Sequence, residues 1–547
     1  MSELPRKADV SLESLHRVFT LPEDQNSTLG RIEREISENL EGFLQSHIVA
    51  IEKDLTDVEK DFSDPAIPTD PIFVSQQAEF LLEKLVSHSV HTASPSFVGH
   101  MTSALPYFML PLSKIMIALN QNLVKTETSK SFTPLERQVI GMLHRLVYQS
   151  NDAFYQQYLH DQHYALGAFC SGGTVANITA LWVARNNMFE VSSSFAGIHQ
   201  EGLAAGLVHH GYRGAAILVS ERGHYSLKKT ADILGLGASN IISIATGDDN
   251  RISLPALKAA CEELTANKIK LMAIVGIAGT TETGSVDPLD AMADIAQQYQ
   301  CHFHVDGAWG APTLFSKQYG PLLKGIERAD SVTIDAHKQL YIPMGAGMVV
   351  FKDPSALHGI EHHANYIIRK GSKDLGSKTL EGSRPGMAML VHSGLRILGE
   401  KGYELLINEG INKTKHFATL ISEHTDFELC SEPTLNILTY RYNPKWLQDY
   451  LSEANSEQVS EINEVLNRYT KYLQKVQRGR GKAFVSRTQL TPKKYNNQAI
   501  IVFRVVLANP LTSMDIMQNI LTEQATLAQQ ADAKQYISSL KAIINKC

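Results

Sequence analysis

Asp306 and Lys338 carry the chemistry most readily read from this chain. The carboxylate lies in His304-Val-Asp-Gly-Ala-Trp309 at the end of an apolar run, and the lysine closes Asp335-Ala-His-Lys338 after a second short run from Ser331. Presented from neighbouring strand ends, such a pair suits pyridoxal phosphate. The lysine forms the Schiff base with its aldehyde, and the carboxylate keeps the pyridine nitrogen protonated. Other stretches bear on the same site. Cys170-Ser-Gly-Gly-Thr-Val-Ala-Asn177 precedes a helix, where free backbone N–H groups can meet an anion. His224, just after an apolar strand in Ser220-Glu-Arg-Gly-His-Tyr-Ser226, offers a flat imidazole to stack on a pyridine ring; a hydrogen-bonded turn histidine is the alternative. Thr281, in Gly279-Thr-Thr-Glu-Thr-Gly284, is placed to hydrogen-bond a cofactor. Arg384, in Glu381-Gly-Ser-Arg384, offers a bidentate fork to a substrate carboxylate. No Gly-Lys-Ser/Thr follows the paired glycines, so the segment is not a P-loop. The pairs His209-His210 and His362-His363 lack metal-ligand spacing, and no metal is expected.

The elements around these residues follow from hydrophobic period. Leu29, Ile32, Ile36, Leu40, Phe43, Leu44 and Ile48 mark one face of a long amphipathic helix. A second helix passes through Leu81, Leu82 and Leu85 after a Pro/Asp-rich break, and both read as a packing or dimer-clasping arm. Ser94 to Ser103 reads as a loop. Thr133-Pro-Leu-Glu136 reads as a helix start, with a capping threonine and a glutamate three residues on. From about residue 165, near-continuous apolar runs at 215–219, 241–244, 271–277, 301–305, 332–334 and 347–351 alternate with helical segments. That pattern predicts a mainly parallel sheet buried on both faces, with ligands at the carboxyl ends of its strands. Beyond about residue 400, a helix between strands 437–442 and 499–507 predicts a smaller α+β domain. The basic run 477–482 reads as a solvated turn.

Composition sets outer bounds. A chain of 547 residues, 43% hydrophobic and 20% charged, describes a globular protein of two to four domains. A formal charge of −6 gives no support for nucleic acid or an anionic membrane as the main partner. The start lacks the apolar core of a secretory signal, and the scattered cysteines 170, 261, 301, 430 and 547 include no Cys-x-x-Cys pair. A reducing, cytoplasmic setting is expected.

Ser-Gly-Gly-Thr, Ser-x-x-x-His-Tyr-Ser, Gly-Thr-Thr, His-Val-Asp-x-Ala-Trp and Asp-x-His-Lys together resemble the group II pyridoxal-phosphate-dependent decarboxylases. That family includes glutamate, aromatic amino-acid, histidine and diaminobutyrate decarboxylases, and the likeness spans roughly residues 90–540. It implies an α/β fold of the aspartate-aminotransferase-like type I, with a mainly parallel seven-stranded sheet, a small α+β C-terminal domain, and a homodimer with shared active sites. The implied division is an arm at 1–95, a cofactor domain at 96–400 and a small domain at 401–547. By motif, Lys338 is the Schiff-base lysine, Asp306 partners the pyridine nitrogen, His224 stacks on the ring and Ala308 packs on its other face. Gly173, Thr174, Ser331 and His337 line the phosphate site, Thr281 and Ser103 contact the cofactor region, and Tyr366 sits on a lid that acts on the neighbouring subunit. His100 falls where glutamate decarboxylases direct a glutamine toward the side-chain carboxylate, and it joins Arg384 as a substrate contact. Gly307 replaces the family's usual alanine, and Pro385 after Arg384 departs from the usual loop. The implied reaction is α-decarboxylation of an acidic L-amino acid, foremost aspartate to β-alanine for pantothenate supply. Glutamate to γ-aminobutyrate is the alternative, with 2,4-diaminobutyrate, an aromatic amino acid or a non-catalytic role behind it. An aminotransferase shares the fold, but the stacking histidine and the His-Lys pair favour a decarboxylase.

Overall fold

The computed structural model describes residues 24–49, 53–364, 368 and 371–545. Its centre is a seven-stranded sheet of β1 (Gly167–Cys170), β2 (Gly214–Ser220), β3 (Ile241–Ile244), β4 (Ile269–Ile277), β5 (His302–Asp306), β6 (Ser331–Asp335) and β7 (Gly347–Phe351). The spatial order is β1-β7-β6-β5-β4-β2-β3. Strands β3, β2, β4, β5 and β6 run parallel, while β7 is antiparallel to both β6 and β1. The expected mainly parallel sheet is therefore present. The sequence reading left out β1, whose four residues are too few to show a period.

Side-chain alternation explains the layers. Ala215, Ile217 and Val219 of β2 pack with Leu181 and Ala184 of helix Gly173–Asn187 and with Leu227 and Ala231 of helix Ser226–Ile233. Ala216 and Leu218 point the other way, into a core with Leu257 of helix Leu254–Ala266 and Met292 of helix Leu289–Gln298. Both faces of the sheet are thus covered, which is why its strands read as unbroken apolar runs.

A second sheet, antiparallel throughout, has the order β10-β11-β9-β8 from β8 (Phe427–Ser431), β9 (Ile437–Tyr442), β10 (Ser486–Leu490) and β11 (Ile500–Val506). Helices Ser456–Gly479 and Met514–Ala528 contribute Tyr469, Leu473, Met517 and Leu521 to its core. Helix Ala388–Glu423 joins the two cores, placing Leu390 and Val391 in the first and Phe417 and Ile421 in the second. It bends at Gly399, whose φ of 63° is outside the helical range.

Two local expectations are corrected. The single helix predicted from Leu29 is divided into Thr28–Glu38 and Leu40–His47, because the Asn39 side chain caps the second by accepting from the Gly42 amide. The helix predicted to begin with a Thr133 cap spans Phe132–Tyr148, with Thr133 inside its first turn, hydrogen-bonded to Ser129. Among the described residues no helix is long and apolar enough to cross a membrane.

Candidate active site

The carboxyl ends of β2, β4, β5 and β6 open on one cavity of about 410 Å³, a size that suits a small cofactor with its substrate. Gly173, Thr174, His224, Thr281, Asp306, Ala308, His337 and Lys338 all line it. Parallel pairing of β5 with β6 brings the Asp306 and Lys338 segments side by side, although 32 positions separate them in the sequence. Asp306 is 7% exposed; its Oδ1 accepts from the Ala308 amide at 3.1 Å and its Oδ2 from Asn177 Nδ2 at 2.9 Å. Lys338 extends its amine to 3.1 Å from Asp335 Oδ2. Asp335 Oδ1 is buried without a hydrogen-bond partner.

The turn after β1 lines the cavity with Ser171, Gly172, Gly173 and Thr174. Helix Gly173–Asn187 begins there with Gly172 at its cap. A Cβ at Gly173 would lie 2.7 Å from Asp335 Oδ2 and 3.3 Å from the Ala308 Cβ, so only glycine lets this turn pack against the Asp335 strand end. The Ser171 amide donates to Glu381 at 2.9 Å. His337 stands beside the turn, with Nδ1 at 3.2 Å from the Ala346 carbonyl and Nε2 at 3.5 Å from Asp335. Burial pushes the His224 imidazole below its ordinary pKa, against the pull of Asp306.

A lysine amine, a carboxylate and a helix start tight enough to exclude a Cβ, all lining one cavity, are the groups that pyridoxal phosphate requires. The residues present fit the group.

Several expected contacts fall elsewhere. Ser331 begins β6, away from the cavity, and its hydroxyl lies 2.7 Å from His302 Nε2 and 2.8 Å from His304 Nδ1. It is part of the buried support under Asp306 and not of the phosphate turn. Arg384 is 8% exposed and both of its terminal nitrogens engage the Glu136 carboxylate, so its fork is occupied by the protein and turned from the cavity. The Ser103 hydroxyl is buried without a partner and does not line the cavity. Tyr366 lies outside the described residues.

Arg504 of β11 is the cation that sequence reasoning missed. It is 8% exposed, donates from Nε to the Thr281 carbonyl at 2.6 Å, and has an Nη2 without a partner. Burial pushes its guanidinium down to about 10, against the pull of Glu282. His100, with Nδ1 3.0 Å from Thr102 Oγ1, feels the positive charges of Arg504, Lys338 and His337 after partial burial, and all of these lower its pKa. The available signal was a charged residue inside the apolar run Ile500–Val506.

Residues 58–443 match the pyridoxal-dependent decarboxylase conserved domain. The chain is 60% identical over 527 residues to an aspartate 1-decarboxylase of Aliivibrio fischeri, covering 96% of each protein. Mouse CSAD shares the fold, with a TM-score of 0.78 at 24% identity over 92% of this chain and 98% of that one. So does a rice (Oryza sativa) TDC solved with PLP and tryptamine, with a TM-score of 0.76 at 17% identity over 93% and 98% of the two chains. With this cavity and these relatives, the chain belongs to the pyridoxal-dependent decarboxylase family, and it is a lyase of amino acids whose cofactor is pyridoxal 5′-phosphate.

Proposed function

We propose that this protein α-decarboxylates L-aspartate, releasing CO₂ and β-alanine. The observation that carries the substrate is the 60% identity over 96% of both chains with the Aliivibrio fischeri aspartate 1-decarboxylase. The Arg504 guanidinium, with a neutral His100 imidazole close enough to feel both it and Lys338, supports an acidic side chain over an aromatic one.

Bound pyridoxal 5′-phosphate supplies the electron sink for the pair left at Cα when CO₂ departs. Lys338 would hold the cofactor through its amine. Asp306, with one oxygen on Asn177 and the other on the Ala308 amide, keeps a negative charge for the pyridine nitrogen. Gly173, Thr174 and His337, which line the cavity, would hold the phosphate end, and His224 and Ala308 would flank the ring. Arg504 and His100 receive the substrate's side-chain carboxylate. The Tyr366 hydroxyl returns a proton to Cα, a role that rests on the sequence resemblance alone. The pyridine side of the site is made by one sheet edge, while Arg504 comes from the small sheet, so both parts of the chain contribute.

The chain is divided for this purpose into an arm at 1–95, a cofactor domain at 96–400 and a small domain at 401–547; the bend at Gly399 lies at the second boundary. A homodimer is part of the proposal. Exposed Leu29, Leu55, Phe62 and Phe73 of the arm, with Ile115 and Ile117 of helix Met109–Leu119, supply an apolar surface for a second copy. Four free cysteines among the described residues support a reducing, cytoplasmic setting.

The test is incubation of the PLP-loaded protein with a panel of amino acids while CO₂ and amine are measured. β-Alanine from aspartate is the expected product. γ-Aminobutyrate from glutamate with no β-alanine would move the reading to glutamate, the two substrates differing by one methylene worth about 1–3 kcal/mol of discrimination.

A further inference from the structure

Beneath the cavity floor, Asn177 of helix Gly173–Asn187 is 1% exposed and uses every hydrogen-bonding position of its amide. Its Nδ2 lies 2.9 Å from Asp306 Oδ2 and 3.2 Å from Ser226 Oγ. Its Oδ1 lies 2.7 Å from Thr333 Oγ1 and 3.0 Å from His304 Nε2. An ionised carboxylate only accepts, so the amide nitrogen must face Asp306 and the amide oxygen must face His304. The polarity of the rest follows. His304, kept neutral by complete burial, gives its Nε2 proton to Asn177 and takes one from Ser331 at Nδ1.

The second amide hydrogen of Asn177 meets Ser226 Oγ, which leaves the Ser226 hydroxyl proton for His224 Nδ1, 2.8 Å away. The Ser226 backbone N–H points at the same nitrogen from 3.3 Å. The backbone N–H can only donate, so a proton on Nδ1 would oppose it, whereas a bare Nδ1 accepts from it and from the Ser226 hydroxyl together. The proton of the ring belongs on Nε2.

We infer that Asn177 and Ser226 are a positioning pair that couples the two sides of the cofactor site: one amide orients Asp306 and, through Ser226 Oγ, holds His224 as its neutral Nε2–H tautomer. The coupling has a physical purpose. Asp306 stabilises a positively charged pyridine ring, and an imidazolium stacked on that ring would repel it; the same amide that secures the anion keeps the stacking ring uncharged. The charged groups facing His224 are Asp306, Glu282 and Asp335, which favour its protonation, and Lys338, which opposes it; burial opposes it more strongly than any of them. The role of the pair rests on the cofactor-site reading above.

The test reads protons directly. Holoenzyme labelled with ¹⁵N-histidine, with the His224 signal identified by its loss in His224→Gln, is followed across pH. The wild-type ring is expected to carry its proton on Nε2 with Nδ1 bare from about pH 8 to about pH 6. Ser226→Ala removes a donor to Nδ1 and is expected to raise the ring's pKa by roughly 0.5–1 unit, with Ser226→Thr restoring the wild-type titration. Asn177→Leu is expected to move the signal in the same direction, and the acid limb of kcat/KM to rise in parallel. If Asn177→Leu does not fold, the serine-to-alanine and serine-to-threonine pair decides alone. A proton on Nδ1 in the wild type, or a Ser226→Ala ring that titrates like the wild type, would overturn the inference. Failure of the aspartate reading would appear differently, as absent β-alanine with an unchanged tautomer.

Discussion

At the scale of single residues, the site turns on where charge is held. Asp306 is nearly buried, and its two oxygens accept from the Asn177 side chain and the Ala308 amide, which fix the orientation of the carboxylate. Asp306→Asn keeps the shape and removes the charge proposed to hold the pyridine nitrogen protonated. Steady-state decarboxylation by that variant is expected to fall at least about 100-fold, as for loss of a principal electrostatic group in other active sites. Near-normal turnover would contradict the role. Lys338 and Asp335 form the reciprocal pair at the other strand end, at 3.1 Å. Asp335 was read from the sequence only as a strand end, because nothing in Asp-Ala-His-Lys says which of its side chains face each other.

At the scale of elements, two arginines illustrate what periodicity conveys and what it omits. Arg384 sits in a polar loop, where exposure is the default expectation, but the loop packs against helix Phe132–Tyr148 and Glu136 takes both ends of its fork. Arg504 sits in a strand that reads as core, and the small sheet carries it to the Thr281 carbonyl at the cavity's edge. Arg384→Met is expected to cost about 3–5 kcal/mol of stability in denaturant unfolding, because Glu136 is left buried and unpaired, with little change in KM. Arg504→Met is expected to raise KM for aspartate roughly 10-fold or more, the value of a charge-assisted contact, with a smaller effect on unfolding. The reverse pattern would return the substrate contact to Arg384. All strands of the large sheet but β1, its mainly parallel character and the ends bearing Asp306, His224 and Lys338 were legible in apolar runs and local motifs; the strand order was not. The partners of buried polar groups, such as Asn177 beneath Asp306 or Ser331 between two histidines, were not, since they join residues far apart in sequence through the sheet.

At the scale of the whole molecule, the two sheets have separate cores, helix Ala388–Glu423 contributes to both, and Arg504 of the smaller sheet bonds the carbonyl of Thr281, which lines the cavity of the larger one. The apolar residues of the arm remain exposed on the single chain, and light scattering is expected to give about twice the 60.5 kDa chain mass, with the monomer mass refuting the dimer. The central claim is that one cavity, lined by Asp306, holds the cofactor on Lys338. Borohydride reduction of the PLP-loaded protein, followed by peptide mapping of the pyridoxyl group, tests it most directly. The label is expected on Lys338 alone; a label on any other lysine, with Lys338 unmodified, would contradict the account.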